Sequence, residues 1–234
     1  MNIPVYVTTC DRYVNRALRP FAYLFERYWS PAQPVVVIGF QPPPYELPGN
    51  FRFYSAGTDT GQKSWSTALI RALQALKHEL FILLLDDYWL NRPIHVGGVA
   101  SLAEYVRLHP DVLRLDLTTD RLYNGKMFGV EDWGRYSIVE TPAGSEYQMS
   151  LQAGIWRRSL MLQVLEPEKS PWEVELQTSP PAEMRVVGTR GEPGTNHAPV
   201  VYANVFQGGS PDTLLNLGEL AAADVAELDA RGWL

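Results

Sequence analysis

Two adjacent carboxylates, Asp86 and Asp87, close the apolar run Leu80-Phe81-Ile82-Leu83-Leu84-Leu85. Neighbouring carboxylates repel each other, and a cation beside them removes that cost, so the pair is a candidate divalent-metal site. The same pair also suits a solvated strand-to-helix turn in which one Asp acts as a cap. A second group with chemistry is Gly57-Thr58-Asp59-Thr60-Gly61-Gln62-Lys63-Ser64. Two glycines, a lysine and several hydroxyls ahead of a helix can contact a phosphate or a ribose. The Walker spacing is absent, and a plain loop with Ser64 as helix cap accounts for the same residues. A third is Trp172-Glu173-Val174-Glu175, whose glutamates follow Ser170-Pro171 at a helix start and favour the helix dipole. His197 sits in a Gly/Pro/Asn loop, the setting of an ordinary loop histidine.

These groups need elements to position them. The run from Leu80 is too short to span a membrane and predicts a strand buried on both faces of a parallel sheet. Ligands of open α/β sheets collect beyond the carboxyl ends of the strands, which is where Asp86 and Asp87 would stand. Ile3 to Thr8, Val35 to Phe40, Phe51 to Ser55 and Val112 to Leu117 predict further strands. Three- and four-residue apolar spacing predicts helices over Asn15 to Trp29, Trp65 to Lys77 and Val96 to His109. Pro20 places the start of the first helix near Arg19, or kinks it there. The order β-α-β-β-α-β-α-β argues for a mainly parallel sheet covered by helices, an α/β fold. Thr118 to Glu146 has no clear period and reads as an excursion that lines or covers a site. Tyr147 to Trp156 predicts a strand leading into a helix over Arg157 to Leu165. Glu183 to Val187 and Val200 to Phe206 predict two more strands, and Ala223 to Arg231 predicts a helix in the tail.

The 234 residues suffice for one substantial domain, and 46% hydrophobic with 20% charged residues is the profile of a folded chain. A net charge of −6 supplies no general attraction to phosphate backbones, so non-specific nucleic-acid binding is not expected. The lone Cys10 cannot form an internal disulfide, and the first residues lack a signal-peptide pattern, so a cytoplasmic location is expected. No apolar run approaches the ~20 residues of a spanning helix.

Four stretches together carry a resemblance: Thr8-Thr9-Cys10-Asp11-Arg12-Tyr13, Leu83 to Trp89, Ser150-Leu151-Gln152-Ala153-Gly154-Ile155-Trp156-Arg157-Arg158 and Ser170 to Glu175. In order and spacing, over roughly residues 3 to 210, the chain resembles a bacterial and phage group of GT-A-fold glycosyltransferases. The resemblance implies one continuous GT-A domain with a nucleotide-sugar half (1–117), an acceptor half (118–210) and a helical tail (211–234). It also implies an Asp-x-Asp motif holding Mn2+ or Mg2+ against the donor diphosphate. Leu85 replaces the first acid, so Asp87 matches the direct ligand, and Asp86 would approach the donor ribose or a metal-bound water. His197 matches a late histidine that ligates in some relatives. The nucleotide sugar, taken as a UDP-sugar, would meet Thr8, Asp11 and Arg12 on one side and Asp59, Lys63 and Trp65 on the other. Trp65 can equally be a core residue. Gln152 would shape the sugar pocket, or pair with backbone. Inverting relatives carry their general base at the position of Glu175, with Glu173 the second choice. The acceptor would be a saccharide, a lipid-linked sugar or, in a phage, a hydroxymethylated DNA base. The alternatives are a nucleotidyltransferase of the same fold, whose glycine-rich basic loop is absent from Thr8 to Arg12, and a sugar-nucleotide-binding module without catalysis.

Overall fold

The computed structural model describes residues 3–119, 126–190, 198–206 and 215–234. The first half builds a parallel sheet. Strand β1 (Val5–Thr8) runs into a π-helical turn (Val14–Leu18) and helix α1 (Arg19–Tyr28), followed by β2 (Val35–Gly39), β3 (Phe51–Ser55), α2 (Ser64–Leu76) and β4 (Leu80–Leu85). Pro20 lies in the first turn of α1, where its missing N–H leaves no helical bond unmade. Ser64 is not the cap of α2. The cap position is Lys63, and the Ser64 hydroxyl instead donates to the Gly61 carbonyl at 2.6 Å.

The remaining elements are β5 (Tyr88–Leu90), α3 (Val96–Leu108), β6 (Val112–Asp116), β7 (Phe128–Trp133), β8 (Tyr136–Glu140), β9 (Gly154–Arg157), α4 (Arg158–Val164), α5 (Pro171–Gln177), β10 (Arg185–Thr189), β11 (Tyr202–Asn204) and α6 (Ala222–Ala230). Among the described residues, one nine-stranded sheet has the order β3-β2-β1-β4-β9-β6-β10-β8-β7, in which only β8 and β9 run against the other strands. The fold is therefore α/β with a mainly parallel, Rossmann-like sheet, as the order of predicted elements requires. Phe21 and Phe25 of α1, Leu102 and Val106 of α3 and Leu228 of α6 belong to the core on one face. Leu69 and Leu73 of α2, Met161 of α4 and Val174 of α5 belong to the core on the other.

The structure corrects the prediction in three places. Thr118 to Glu146 contains the antiparallel hairpin β7–β8, turning at Gly134 with φ 59°. A register shift between Gly129 and Glu131 breaks the alternation that would have announced it. Of Tyr147 to Trp156, only the end is strand. That strand, β9, is inserted antiparallel between β4 and β6. The apolar continuation after Asp87 is also a separate short strand. β5 leaves the main sheet and pairs with β11, with the Tyr88 and Tyr202 rings stacked 4.3 Å apart. Among the described residues, no helix is long and apolar enough to cross a membrane.

From β1 the chain moves outward to β2 and β3, then returns to β4 on the other side of β1. Neighbouring connections diverge at that point, leaving a crevice beyond the strand ends. Thr8 pairs with both Ile38 and Leu85, so the tips of β1, β2 and β4 are level and point into it.

Candidate active site

The crevice is a cavity of about 630 Å³ at the tips of β1 and β4. Its floor is the acidic pair. Asp86 is buried, its amide donates to the Thr8 carbonyl at 3.3 Å, and its carboxylate accepts from the Thr9 hydroxyl at 2.5 Å. Burial first, and the charge of Asp87 second, hold the Asp86 carboxyl well above the usual carboxylate range. Burial also pushes Asp87 up to about 6, and the Glu175 carboxylate acts in the same direction. The Oδ1 of Asp87 is buried with no hydrogen-bond partner among the described residues. A buried carboxylate oxygen in that state has lost its hydration without replacement, a cost that a ligand cation would offset.

One wall comes from the loop after β1 and the loop before α2. The Trp65 indole N–H donates to the Thr8 hydroxyl at 3.1 Å, so the half-buried ring both lines the cavity at the β1 tip and packs against the core of that face. Asp59 accepts from the Gly61 amide at 2.8 Å and the Ser64 hydroxyl at 3.3 Å, and also from the Asp11 amide at 3.4 Å. The Asp11 carboxylate in turn accepts from the Gln41 amide at 3.1 Å. Asp59 thus joins two loops with neither strand nor helix to hold them together. Arg12, an exposed side chain, completes this wall.

The opposite wall is α5 with the segment before β9. At the start of α5 the Ser170 hydroxyl accepts from the Glu173 amide at 3.2 Å and the Ser170 amide donates to the Glu173 carboxylate at 2.8 Å, a closed capping box. Those Ser170 bonds, with the Lys63 ammonium 3.4 Å away, pull the Glu173 carboxyl down to about 2. Glu175, two residues on, turns the other way, and one of its oxygens accepts from the Leu151 amide at 2.6 Å. Gln152 lies beside it, with its carbonyl accepting from the buried Arg114 at 3.0 Å.

Of the residues singled out in the sequence, Thr8, Arg12, Asp59, Trp65, Asp86, Asp87, Gln152 and Glu175 line the cavity together. Asp11, Lys63 and Glu173 do not. Asp11 is a strut behind the wall, and Lys63 and Glu173 pair with each other outside it. His197 lies outside the described residues. The sequence reading did not single out Trp172, Tyr88, Asn204 or Phe206, which also line the cavity. Trp172 was findable, because it stands three residues before Glu175 on one helix. Asn204 and Phe206 reach the cavity only through the β5–β11 pairing, which leaves no local signal.

Among the described residues, the charged lining is one arginine, Arg12, against four carboxylates: Asp59, Asp86, Asp87 and Glu175. An anionic ligand would be repelled from such a floor unless a cation came with it. Among the described residues, no group of three or more His, Cys, Asp or Glu is placed to cage an ion by protein atoms alone. One or two carboxylates with the remaining ligands from phosphate and water is the usual manner of holding Mg2+, and the Asp86–Asp87 pair fits it.

No family model matches the chain, and no curated protein matches it. Among solved structures it is similar to a cytidylyltransferase from Leptospira borgpetersenii, at 10% identity over 75% of this chain and 68% of that one, with a TM-score of 0.43. It is similar to a UDP-glucose pyrophosphorylase complexed with UDP-glucose, at 9% identity over 81% and 90% of the two chains, with a TM-score of 0.44. It is also similar to S. aureus TarS, at 16% identity over 80% of this chain and 60% of that one, with a TM-score of 0.43.

Proposed function

We propose that the protein is a metal-dependent, GT-A-type glycosyltransferase that moves a sugar from a nucleotide-sugar donor, a UDP-sugar, to a hydroxyl acceptor. The observation that carries this reading is the buried Oδ1 of Asp87, unpartnered among the described residues, in a cavity whose described lining has four carboxylates to one arginine. Residues 1–117 would carry the donor and 118–210 the acceptor. Thr8, Arg12, Asp59 and Trp65 form the wall for base and ribose, and Gln152 borders the sugar. Asp87 would hold Mn2+ or Mg2+ with Asp86 behind it, and the ion would supply the positive charge that stabilises a departing diphosphate.

Glu175 is the general base of an inverting displacement. The acceptor oxygen bonds to the anomeric carbon as the bond from that carbon to the phosphate oxygen breaks. The hydroxyl proton passes to Glu175, and the nucleoside diphosphate leaves with the bonding pair. The Leu151 amide, held on one oxygen of Glu175, fixes the direction of the carboxylate.

The test is release of UDP from UDP-sugars in the presence of Mn2+ or Mg2+. Turnover is expected to vanish with excess chelator and to fall by on the order of 100-fold or more in Asp87→Ala. Full turnover in either condition removes the metal from the reading. Formation of a sugar nucleotide and pyrophosphate from a nucleoside triphosphate and a sugar phosphate would replace glycosyl transfer with nucleotidyl transfer.

A further inference from the structure

Trp172 is 42% exposed, although tryptophan is among the residues most buried on average. It lines the cavity all the same. Among the described residues no ring stacks on it and no group bonds its indole N–H. Leu176, one turn on and 62% exposed, does not line the cavity, so the exposure of Trp172 is not simply that of a bare helix face. Glu175 follows three residues later, and residues at that spacing are neighbours on a helix surface. The helix itself is held firmly. Its start is closed by the capping box, and Val174 is buried in the core against which α2 packs. The helix thus presents a part-exposed indole to the cavity, three residues from the carboxylate that takes the acceptor proton.

We infer that Trp172 is the platform on which a pyranose ring of the acceptor stacks, so that the acceptor is a saccharide. The inference rests on the glycosyl-transfer reading of the cavity. A pyranose has one face of C–H groups and a rim of hydroxyls, and it is satisfied by an aromatic plate with a carboxylate at its edge. The nucleotide wall has its own aromatic in Trp65, tied to Thr8. A DNA acceptor would bring a row of phosphates to a chain of net charge −6 and, among the described lining residues, to four carboxylates with one arginine. An alkyl chain has no hydroxyls to offer the carboxylates of Asp59 and Glu175, whereas the rim of a pyranose has several.

The experiment compares wild type, Trp172→Ala and Trp172→Phe by calorimetry with two sets of probes. The first is UDP with Mn2+. The second is a panel of methyl pyranosides of glucose, galactose, mannose and N-acetylglucosamine, with dodecyl phosphate and a hydroxymethylcytosine duplex beside it. The expected result is at least one pyranoside that binds wild type, weakens roughly 10-fold in Trp172→Ala and recovers most of that in Trp172→Phe, with UDP affinity unchanged throughout. Equal pyranoside binding by wild type and Trp172→Ala overturns the inference. So does a Trp172-dependent affinity for the alkyl phosphate or the duplex alone. If wild type binds pyranosides through Trp172 but binds no UDP with Mn2+, the transfer reading fails and the platform stands.

Discussion

Asp87 is held in the folded protein at a cost. Its carboxyl titrates near 6 instead of 3.8, so the folded state holds the proton more tightly than the unfolded chain does. The stability linked to that proton is fully present below about 3.8 and is lost as pH rises through about 6. Asp86, shifted the same way, adds to the loss. Asp87→Asn is therefore expected to raise the unfolding free energy of the metal-free protein at pH 7.5, by on the order of 1–3 kcal/mol, with the gain fading by pH 4. Mn2+ should stabilise wild type at pH 7.5 more than at pH 5 and should leave Asp87→Asn unmoved. Urea unfolding at the three pH values, with and without Mn2+, measures both effects. A destabilised Asp87→Asn at pH 7.5 would mean that the carboxylate is structural. The acidic pair was legible because a long apolar run stopped at it. That one of its oxygens would lack a partner was not legible, since partners come from segments 77 and more residues away, as Thr9 does for Asp86.

The two glutamates of α5 show how one element divides roles that composition cannot. In the sequence both are acids in the first turn of a helix. The cap separates them, because Ser170 takes Glu173 for its box and the helical rotation then sends Glu175 to the cavity side. Ser170→Ala should cost about 1 kcal/mol of stability. Glu173→Ala should lower the melting temperature and leave donor turnover within a few-fold of wild type. Glu175→Gln should keep the melting temperature and lose on the order of 100-fold or more in transfer. Melting curves and UDP release for the three variants decide the matter, and a Glu173→Ala with the larger loss of turnover would exchange the assignments. The box was readable from Ser170, Pro171 and Glu173, because capping is local chemistry. The hairpin β7–β8 was not, because its bulge interrupts the alternation of side chains. Tyr147 to Ala153 read as strand from its residue types, but Tyr147 has a φ of 55°, which no strand adopts.

At the scale of the whole molecule, β9 joins β4, whose tip leads to Asp86, to β6 and the strands beyond it in the main sheet. Strand direction has no local signature, which is why the succession of elements argued for a mainly parallel sheet and gave no sign of the antiparallel insertion of β9. The junction is held by charge as well as packing. Arg114 and Asp116, both fully buried on β6, form an ion pair, and the Arg114 guanidinium lies 5.1 Å from the centre of the Trp156 ring. Gly154 permits this approach, since a Cβ there would stand 3.2 Å from Arg114 Nε and from the Leu115 carbonyl. Removing one partner leaves the other charge buried, so Asp116→Ala is expected to destabilise by about 3–5 kcal/mol. Replacing both, as Arg114→Met with Asp116→Leu, should cost much less than the sum of the single changes, and a double-mutant cycle by urea unfolding would read that coupling. The recovered stability should not restore transfer, because Arg114 also donates to the carbonyl of Gln152 at the cavity. A double variant both stable and fully active would show that the pair only joins the two halves of the sheet. One that is stable but slow would show that the junction also sets the position of the sugar pocket.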